Sequence, residues 1–448
     1  MRPGKQEWTS EQDLFRARLD QIINMKHELV RLAQTIDWDW IDGELAGCFS
    51  EQGRPGLPSR FMVGLLLLKQ TYGLSDEQVC DRWVYDPYFQ YFTGAEFFAH
   101  EFPHERSGIS HWRKRIGEKL DALLAESLRV AHATGALKTS DLARVTVDTT
   151  VQPKAVTHPT DAKLMLRAID KLGAQAKAHG LKLRQSYARL AKQAALMAGR
   201  YTHAKQFKRA QKMLRFLRTR LGRLIRDITR KIEGDERLTA LFAEPLSKAL
   251  RIRWQNQLQR GPKLYSWHAP EVECIGKGKA HKPYEFGVKV SITTTNRRCK
   301  GGQFVLHAKA IAGNPYDGHT LAQAIKETES LTGRRVERAY VDKGYRGHAT
   351  PQPRRVFISG QKRGVHGVIK RELRRRSAVE PVIGHLKSDG HLGRNFLKGR
   401  HGDRANAVLS ATGHNLRLIL RWLRLLLRLI LAALSVHAAT SSALKPAC

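Results

Sequence analysis

The sequence predicts a mixed α/β protein, in which a sheet is flanked by helices. Three observations support this fold class. The first 140 residues have mostly helical periodicity, residues 144–151 change to the alternating pattern of a strand, and after residue 283 strands and helices alternate before closing helices. Strands followed by alternating helices and strands are typical of a mixed α/β sheet.

The N-terminal part, residues 1–140, is predicted to be a helical domain that binds DNA. Residues 61–72 form an apolar helix, which Gly73 ends, and Ser75 begins the next helix. Residues 107–128 form a later helix, with Trp112 on its inner side. The first two helices suggest a helix-turn-helix-like pair. Such a pair either contacts DNA or serves only as a packed structural scaffold, and the sequence favours neither.

The sheet domain is predicted to comprise residues 141–165 and 283–415. Its strands are expected at residues 144–151, 285–295, 304–311, 336–342 and 355–358, with a helix at residues 319–331. The chain between the first and second strands, residues 166–282, is predicted to be a long basic helical insertion.

The insertion contains heptad-like apolar spacing with one break, which indicates a helical hairpin. From Lys171 to Lys231 it carries eighteen Lys or Arg residues and a single acid, Asp227. A solvent-exposed helix usually carries both acidic and basic residues. The excess of basic residues therefore favours an arm that binds DNA over an ordinary solvent-exposed surface.

The last segment, residues 416–448, is predicted to be an amphipathic helix and tail. Arg417, Arg421, Arg424 and Arg428 interrupt an apolar stretch at helical steps. Burying four arginines in hydrocarbon would cost roughly 2.5–3.5 kcal/mol each, which argues against a membrane span. We expect the Leu face to pack on the protein and the Arg face to meet DNA or solvent, with membrane-surface association as the alternative.

The composition is strongly basic. Lys and Arg number 78 against 41 Asp and Glu, giving a net charge of +37. Such an excess predicts binding to a phosphate backbone, with anionic membranes as the competitor. The five scattered cysteines indicate reduced thiols, and the polar N-terminus lacks a signal-peptide pattern. Both observations predict a cytoplasmic protein.

Three acidic residues stand out against this basic background: Asp148, Asp342 and Glu380. Asp148 and Asp342 end predicted strands. Glu380 lies on a predicted helix, where Arg376 and Lys387 share its face within an arc of about 60° around the helix axis. Each acid also has a local alternative, because the two aspartates suit turns and Ser377–Glu380 has the spacing of a capping box. Pro381 leaves an alternative open, in which the helix starts at Ser377 and Arg376 turns away. Together the acids suggest a site for one or two Mg²⁺ ions.

Several motifs, in this order, resemble those of DDE transposases of bacterial insertion sequences, in the group named after insertion sequence five. They are GRPGLPSRFMVGLLLLKQTYGLSDEQV, WVYDPYFQYFTG, VDTTVQPKAVTHPTDAKLM, GNPYDGHTL, YVDKGYRG, RRRSAVEPVIGHLK and RNFLKGRHGDRANAVLSATGHNLR. The resemblance covers nearly the whole chain and implies a ribonuclease-H-like catalytic core.

The resemblance also implies the residue roles. Asp148, Asp342 and Glu380 would be the catalytic acids and hold two Mg²⁺ or Mn²⁺ ions, one between Asp148 and Glu380 and one between Asp148 and Asp342. The DNA-contacting residues would be Arg376, Lys387, Lys343, Arg346 and Tyr345. Leu373 stands where the family has Tyr, which departs from the pattern.

The implied activity is cut-and-paste transposition of DNA between terminal inverted repeats and a target, by a homodimer at the bacterial nucleoid. Two alternatives are a structure-specific nuclease of the same fold and an inactive basic DNA-binding remnant. A zinc site formed by His385, His391 and His401 is disfavoured, because the spacing is irregular and no cysteine is near.

Overall fold

The computed structural model describes residues 17–49, 56–256, 259, 261, 263–276, 283–350 and 355–443. The chain divides into two compact units. The first comprises Met1–Pro153 and Lys289–Cys448, and the second comprises Lys154–Val288. The predicted mixed α/β class is confirmed, because a helical N-terminal region is followed by a mixed sheet with helices.

The N-terminal region of the first unit is helical. Its helices are α1 (Leu19–Ile22), α2 (Glu28–Thr35), α3 (Trp38–Leu45), α4 (Ser59–Tyr72), α5 (Asp76–Tyr85), α6 (Pro87–Phe92), α7 (Gly108–Arg115) and α8 (Leu120–Ala133). Gly73 ends α4 with φ of +66°, a left-handed conformation that favours glycine. Ser75 then caps α5 in a capping box. Its hydroxyl accepts a hydrogen bond from the Gln78 backbone N–H at 3.1 Å, and its own backbone N–H donates to Gln78 Oε1 at 2.8 Å. The predicted boundary between these helices is confirmed.

The α4–α5 pair has the character of a packed scaffold. Almost every residue of α4 is buried, and the helix packs against α3, α5 and α7. The exposed side of α5 carries Glu77 and Asp81, two acids that would repel phosphate. This pair therefore offers no cationic reading face among its described residues.

The sheet of the first unit is mixed. Its strands are β1 (Arg144–Pro153), the second part of β3 (Tyr284–Thr295), β4 (Val305–Ile311), β5 (Arg338–Val341) and β6 (Arg355–Ile358). Their order is β4-β3-β1-β5-β6, with parallel pairing at β1–β5 and β5–β6 and antiparallel pairing at β3–β4. All five were predicted from the sequence, within two residues at each end.

The helices of this unit that follow the sheet strands are α13 (Asp317–Thr332), α14 (Gly367–Arg374), α15 (Val379–Ser388) and α16 (Gly399–Ala443). Helix α16 is continuous over 45 residues and packs against α2, α4, α8 and β4. It therefore joins the N-terminal helices to the sheet within one unit.

The arginine stripe of α16 differs from its prediction. The Arg417 guanidinium donates to the Gln70 carbonyl at 2.7 Å and to the Asp389 carbonyl at 3.2 Å, and Arg424 pairs with Glu28. Both arginines therefore contact protein groups, although the Arg424 side chain is 59% exposed, and Arg421 and Arg428 are exposed as well. The predicted tail at residues 444–448 lies outside the described residues.

No helix in the described ranges is apolar over a stretch long enough to cross a membrane.

The second unit contains four helices where the sequence suggested a hairpin. They are α9 (Asp161–Ala178), α10 (Ala188–His203), α11 (Phe207–Ile232) and α12 (Glu236–Trp254), and the unit also holds β2 (Glu273–Gly276) paired with the first part of β3. A shared apolar core includes Leu172, Leu221 and Phe242. The heptad interpretation was partly wrong on α10, where small residues such as Ala191 are buried and Leu190 is 38% exposed.

Candidate active site

The first two acids lie on neighbouring parallel strands. In the β1–β5 pair, Val145 lies opposite Ala339 and Thr146 lies opposite Tyr340. Two residues further along each strand direction are Asp148, within β1, and Asp342, directly after β5. Neighbouring strands are about 4.8 Å apart and side chains alternate between faces, so this register brings both carboxylates to the same region of one face.

The third acid comes from the helix that packs on β1. Helix α15 begins at Val379 after a 3₁₀ turn at Arg375–Ala378, so Glu380 lies in its first turn. The Ser377 hydroxyl donates to the Arg374 carbonyl, and no side chain caps the helix. The capping-box alternative for Glu380 was therefore wrong.

The guanidinium of Arg376 contacts all three carboxylates. Its Nη1 lies 3.6 Å from Asp148 Oδ2, and its Nη2 lies 3.9 Å from Asp342 Oδ1 and 3.7 Å from Glu380 Oε1. The alternative in which Pro381 turns Arg376 away does not hold, because Arg376 follows the start of a 3₁₀ turn before α15 and reaches acids on two strands. A single cation thus stands among acids from three separate segments of the chain.

These groups differ in their exposure to solvent. The Asp148 side chain is 19% exposed and that of Arg376 is 13% exposed, whereas Asp342 and Glu380 are 51% and 69% exposed. Burial raises the pKa of Asp148 to about 6, and the nearby Asp342 and Asp317 act in the same direction. The Thr149 N–H, which donates to Asp148 Oδ1 at 2.8 Å, and Arg376 both oppose this rise.

A fourth acid, Asp317, lies beside this group. Its Oδ1 accepts the Thr149 hydroxyl at 3.1 Å and the Lys289 ammonium at 2.9 Å. Lys289 also donates to the Pro315 carbonyl at 2.6 Å, which ties β3 to the start of α13. Asp317 therefore connects through Thr149 to the segment that carries Asp148.

Asp317 also borders the segment that carries Asp342. A Cβ added at Gly344 would stand 3.2 Å from Asp317 Oδ2, so the absence of a side chain at Gly344 allows this close approach. Sequence reasoning did not single out Asp317 or Lys289. The signal was present in GNPYDGHTL, but an acid in the first turn of a helix is so common that it indicates no site by itself.

The predicted DNA-contacting residues fall into two groups. Lys343 and Arg346 are exposed directly after Asp342, and Lys387 is half-buried two turns along α15 from Glu380. Tyr345 is only 1% exposed, and burial raises the pKa of its hydroxyl. Its predicted contact with DNA does not agree with the structure, because the ring is buried in the protein core. Leu373 is half-buried at the end of α14.

The chemistry of the three acids fits a hard divalent cation. They offer only carboxylate oxygens, the donors that Mg²⁺ prefers, and their negative charge exceeds that of the one guanidinium they share. As the side chains lie, no group of three His, Cys, Asp or Glu residues in the described ranges surrounds one common ion position. His391 instead contacts the Leu74 carbonyl, and Cys48, Cys80, Cys274 and Cys299 are free thiols.

Comparison with known proteins gives two similarities. Residues 17–115 match the family model described as "Transposase domain (DUF772)". The chain is also 51% identical over 208 residues to the "Uncharacterized protein ORF8 in nfe locus" of Rhizobium meliloti, an alignment that covers 46% of this chain and all of that protein. No solved structure matches the chain.

Proposed function

Because this chain belongs to the same family as the Rhizobium meliloti ORF8 protein and carries a transposase domain, we propose that it is a DDE-type transposase of the insertion sequence five group. The proposed reaction is metal-dependent cleavage and strand transfer of DNA at the ends of an insertion sequence. Asp148, Asp342 and Glu380 are the proposed catalytic acids, on a sheet that we propose to be a ribonuclease-H-like core.

One observation carries this proposal. Three acids separated by long stretches of sequence all contact the Arg376 guanidinium, in a chain whose net charge is +37. Collecting acids in a protein built to attract a polyanion is electrostatically unfavourable, unless a bound cation reverses the local charge. A divalent-ion site beside DNA gives this arrangement a purpose.

The three acids would hold Mg²⁺ or Mn²⁺ through their oxygens. When bound, such ions supply an activated water or hydroxyl nucleophile and stabilise the leaving oxygen of a phosphodiester. Asp148 is fixed for this role by the Thr149 N–H and by its position in the middle of β1. Asp342 and Glu380 are largely solvent-exposed and can adjust their side chains to a ligand.

The cations around the acids would bind the DNA backbone. Lys343 and Arg346 are exposed directly beyond Asp342, and Lys387 lies on the same helix as Glu380. Arg376 would neutralise the acids in the free protein and turn to a phosphate when DNA and metal are present. Contacts of this kind position a duplex without reading its sequence.

The direct experiment uses the full chain and a supercoiled plasmid that contains the DNA flanking the coding region. We expect Mg²⁺-dependent cuts at the ends of the element, abolished by EDTA, followed by joining of those ends to a target plasmid. Asp148→Asn, Asp342→Asn and Glu380→Gln should each reduce cleavage by about a hundredfold to a thousandfold, the scale typical of lost transition-state stabilisation, while DNA binding is kept.

A matched control is Glu77→Gln, an equivalent carboxylate-to-amide change on the exposed side of α5. It should cleave like the wild type. Cleavage without any joined product would identify a nuclease, and binding without Mg²⁺-dependent nicking would identify an inactive DNA-binding protein. Full activity in any one of the three acid variants would remove that residue from the site.

A further inference from the structure

Helix α11 of the second unit carries a row of cations on its exposed face. We call this row the α11 basic stripe; its members are Lys208, Lys212, Arg215, Arg223, Arg226 and Arg230, and all of them are exposed. At 100° per residue the six positions fall within about 80° of arc. The buried residues Leu217, Leu224 and Ile228 lie on the opposite side of the helix.

The charges of the stripe are not balanced by acids. No stripe residue lies within ion-pairing distance of an Asp or Glu in the described part of the chain. The single acid of α11, Asp227, is buried, where it accepts the Arg184 N–H at 2.9 Å and pairs with Lys231 at 3.4 Å. Stripe members three and four residues apart repel each other, which disfavours the helix in isolation.

The stripe is supported by a rigid base. Helix α11 packs against α9, α10 and α12. At Gly222 the packing is so close that an added Cβ would stand 2.6 Å from Arg253 Nε of α12. The helix that carries the cations is therefore held by packing against three other helices of the unit.

The length of the stripe matches a feature of duplex DNA. From Lys208 to Arg230, at 1.5 Å per residue, the stripe extends for about 33 Å. One turn of B-DNA is about 34–36 Å long. A straight row of cations of this length can contact phosphates along one whole turn of a duplex.

We propose that the α11 basic stripe is a docking surface for about one turn of double-stranded DNA, bound through its phosphates without sequence preference. This inference rests on the proposed function only in taking DNA as the partner. A second copy of the stripe is excluded as occupant by like charge. Insertion of α11 into a membrane surface is disfavoured, because an inserted amphipathic helix needs an exposed apolar face and the apolar face of α11 is buried.

The test measures binding of a fluorescent 30-base-pair duplex of arbitrary sequence to the full chain, in EDTA, across a salt series. The stripe variant is Lys212→Gln, Arg215→Gln, Arg223→Gln and Arg226→Gln combined. Each lost phosphate contact removes about 0.9 from the slope of log K against log salt. We expect the slope to fall by about 3 to 4 and the affinity at about 0.1 M salt to fall at least tenfold.

The matched control removes the same charge from another helix of the unit. It combines Lys163→Gln, Arg167→Gln, Lys171→Gln and Lys177→Gln, all exposed positions of α9. This control should change the slope by less than about 1. Circular dichroism verifies that both variants remain folded, since neither change touches the buried side of its helix.

Three results would overturn the proposal. They are wild-type binding by the stripe variant, an equal loss in the α9 control, which would show an effect of net charge alone, and stripe-dependent binding to phosphatidylglycerol vesicles that exceeds binding to DNA. Binding in EDTA is independent of catalysis. Failure here with Mg²⁺-dependent cleavage intact would remove only the stripe, whereas stripe-dependent binding without cleavage would remove only the enzyme.

Discussion

Arg376 is the residue on which the geometry of the candidate site depends. Its guanidinium is nearly buried and contacts three carboxylates at 3.6 to 3.9 Å, distances of ion pairs and not of short hydrogen bonds. Such contacts compensate charge without fixing the acids tightly. A divalent metal ion can therefore displace the Arg376 guanidinium from the three carboxylates.

Arg376→Gln should therefore destabilise the protein without metal. Asp148 would lose its principal countercharge, and the unfolding free energy should fall by about 1–2 kcal/mol, a value reduced because Asp342 and Glu380 are exposed to solvent. Mg²⁺ should restore part of this loss. Chemical denaturation with and without Mg²⁺ measures both effects, with exposed Arg421→Gln of α16 as the control. Equal stability of Arg376→Gln and the wild type in EDTA would contradict this role.

Asp148 gives a pH-dependent prediction. Its ordinary pKa is 3.8 and burial raises it to about 6 in the folded protein, so the folded state binds the proton more tightly than the unfolded state. This tighter proton binding at Asp148 stabilises the folded state. The stabilisation is fully present below the pKa of the unfolded state and is lost as the pH rises through about 6.

Asp148→Asn cannot ionise and escapes this loss. Relative to the wild type in EDTA, it should gain stability as the pH rises from about 4 to about 7, by at most about 3 kcal/mol. Denaturation curves of the two proteins across this range provide the test. A difference that does not vary with pH, or one that favours the wild type at high pH, would be inconsistent with a buried Asp148.

At the scale of elements, the site depends on how segments are joined. Asp317 links three of them, because it starts α13, pairs with Lys289 of β3 and accepts the hydroxyl of Thr149 in β1. It also lies close to Gly344, two residues after Asp342, where an added Cβ would stand 3.2 Å from Asp317 Oδ2. Asp317 is a positioning residue in this account.

A double-mutant cycle tests the link between α13 and β3. Asp317→Asn leaves the Lys289 ammonium, which is 12% exposed, without its acid, and Lys289→Met leaves the acid without its cation. Each single change should cost about 1–3 kcal/mol of unfolding free energy, and the double variant should lose less than the sum, with a coupling of about 1–2 kcal/mol. Additive losses would mean that the pair contributes nothing to joining the two elements.

Much of this architecture could be predicted from the sequence, since its signals are local. The strand at β1 and the helix boundary at Gly73 and Ser75 follow from alternation and from capping chemistry. Asp342 could be placed at a strand end for the same reason, but the predicted strand-end position of Asp148 was wrong, because β1 continues past it to Pro153. Long-range relations could not be read in this way. The register that sets Asp148 beside Asp342, and the burial of Tyr345, depend on which strands pair and what covers them.

The direction of the Arg376 side chain could not be predicted from the sequence, for a different reason. The sequence left open whether Pro381 turns this residue away, and in the structure a 3₁₀ turn at Arg375–Ala378 keeps it directed towards the acids. A short 3₁₀ turn between two helices is a small local change of the backbone, and no periodic pattern in the sequence predicts it. The four-helix second unit was likewise underestimated, because α9 and α12 have weaker apolar periodicity than α11.

For the molecule as a whole, charge is divided by location. The chain carries +37 overall, and the α11 basic stripe concentrates unbalanced cations in the second unit. The candidate site in the first unit does the opposite, with four acids around Arg376 and Lys289. A basic molecule that gathers acids at its candidate site is suited to holding DNA while binding divalent ions there.

The most direct test of the central claim is a map of where a divalent ion binds in the full chain. Fe²⁺ substitutes for Mg²⁺ and, with ascorbate and peroxide, produces hydroxyl radicals that cut the backbone nearest to the ion. We predict cuts around residues 148, 342 and 380, suppressed by excess Mg²⁺ and lost in Asp148→Asn. Cuts at only one of these segments, or a pattern that Asp148→Asn leaves unchanged, would contradict a shared metal site.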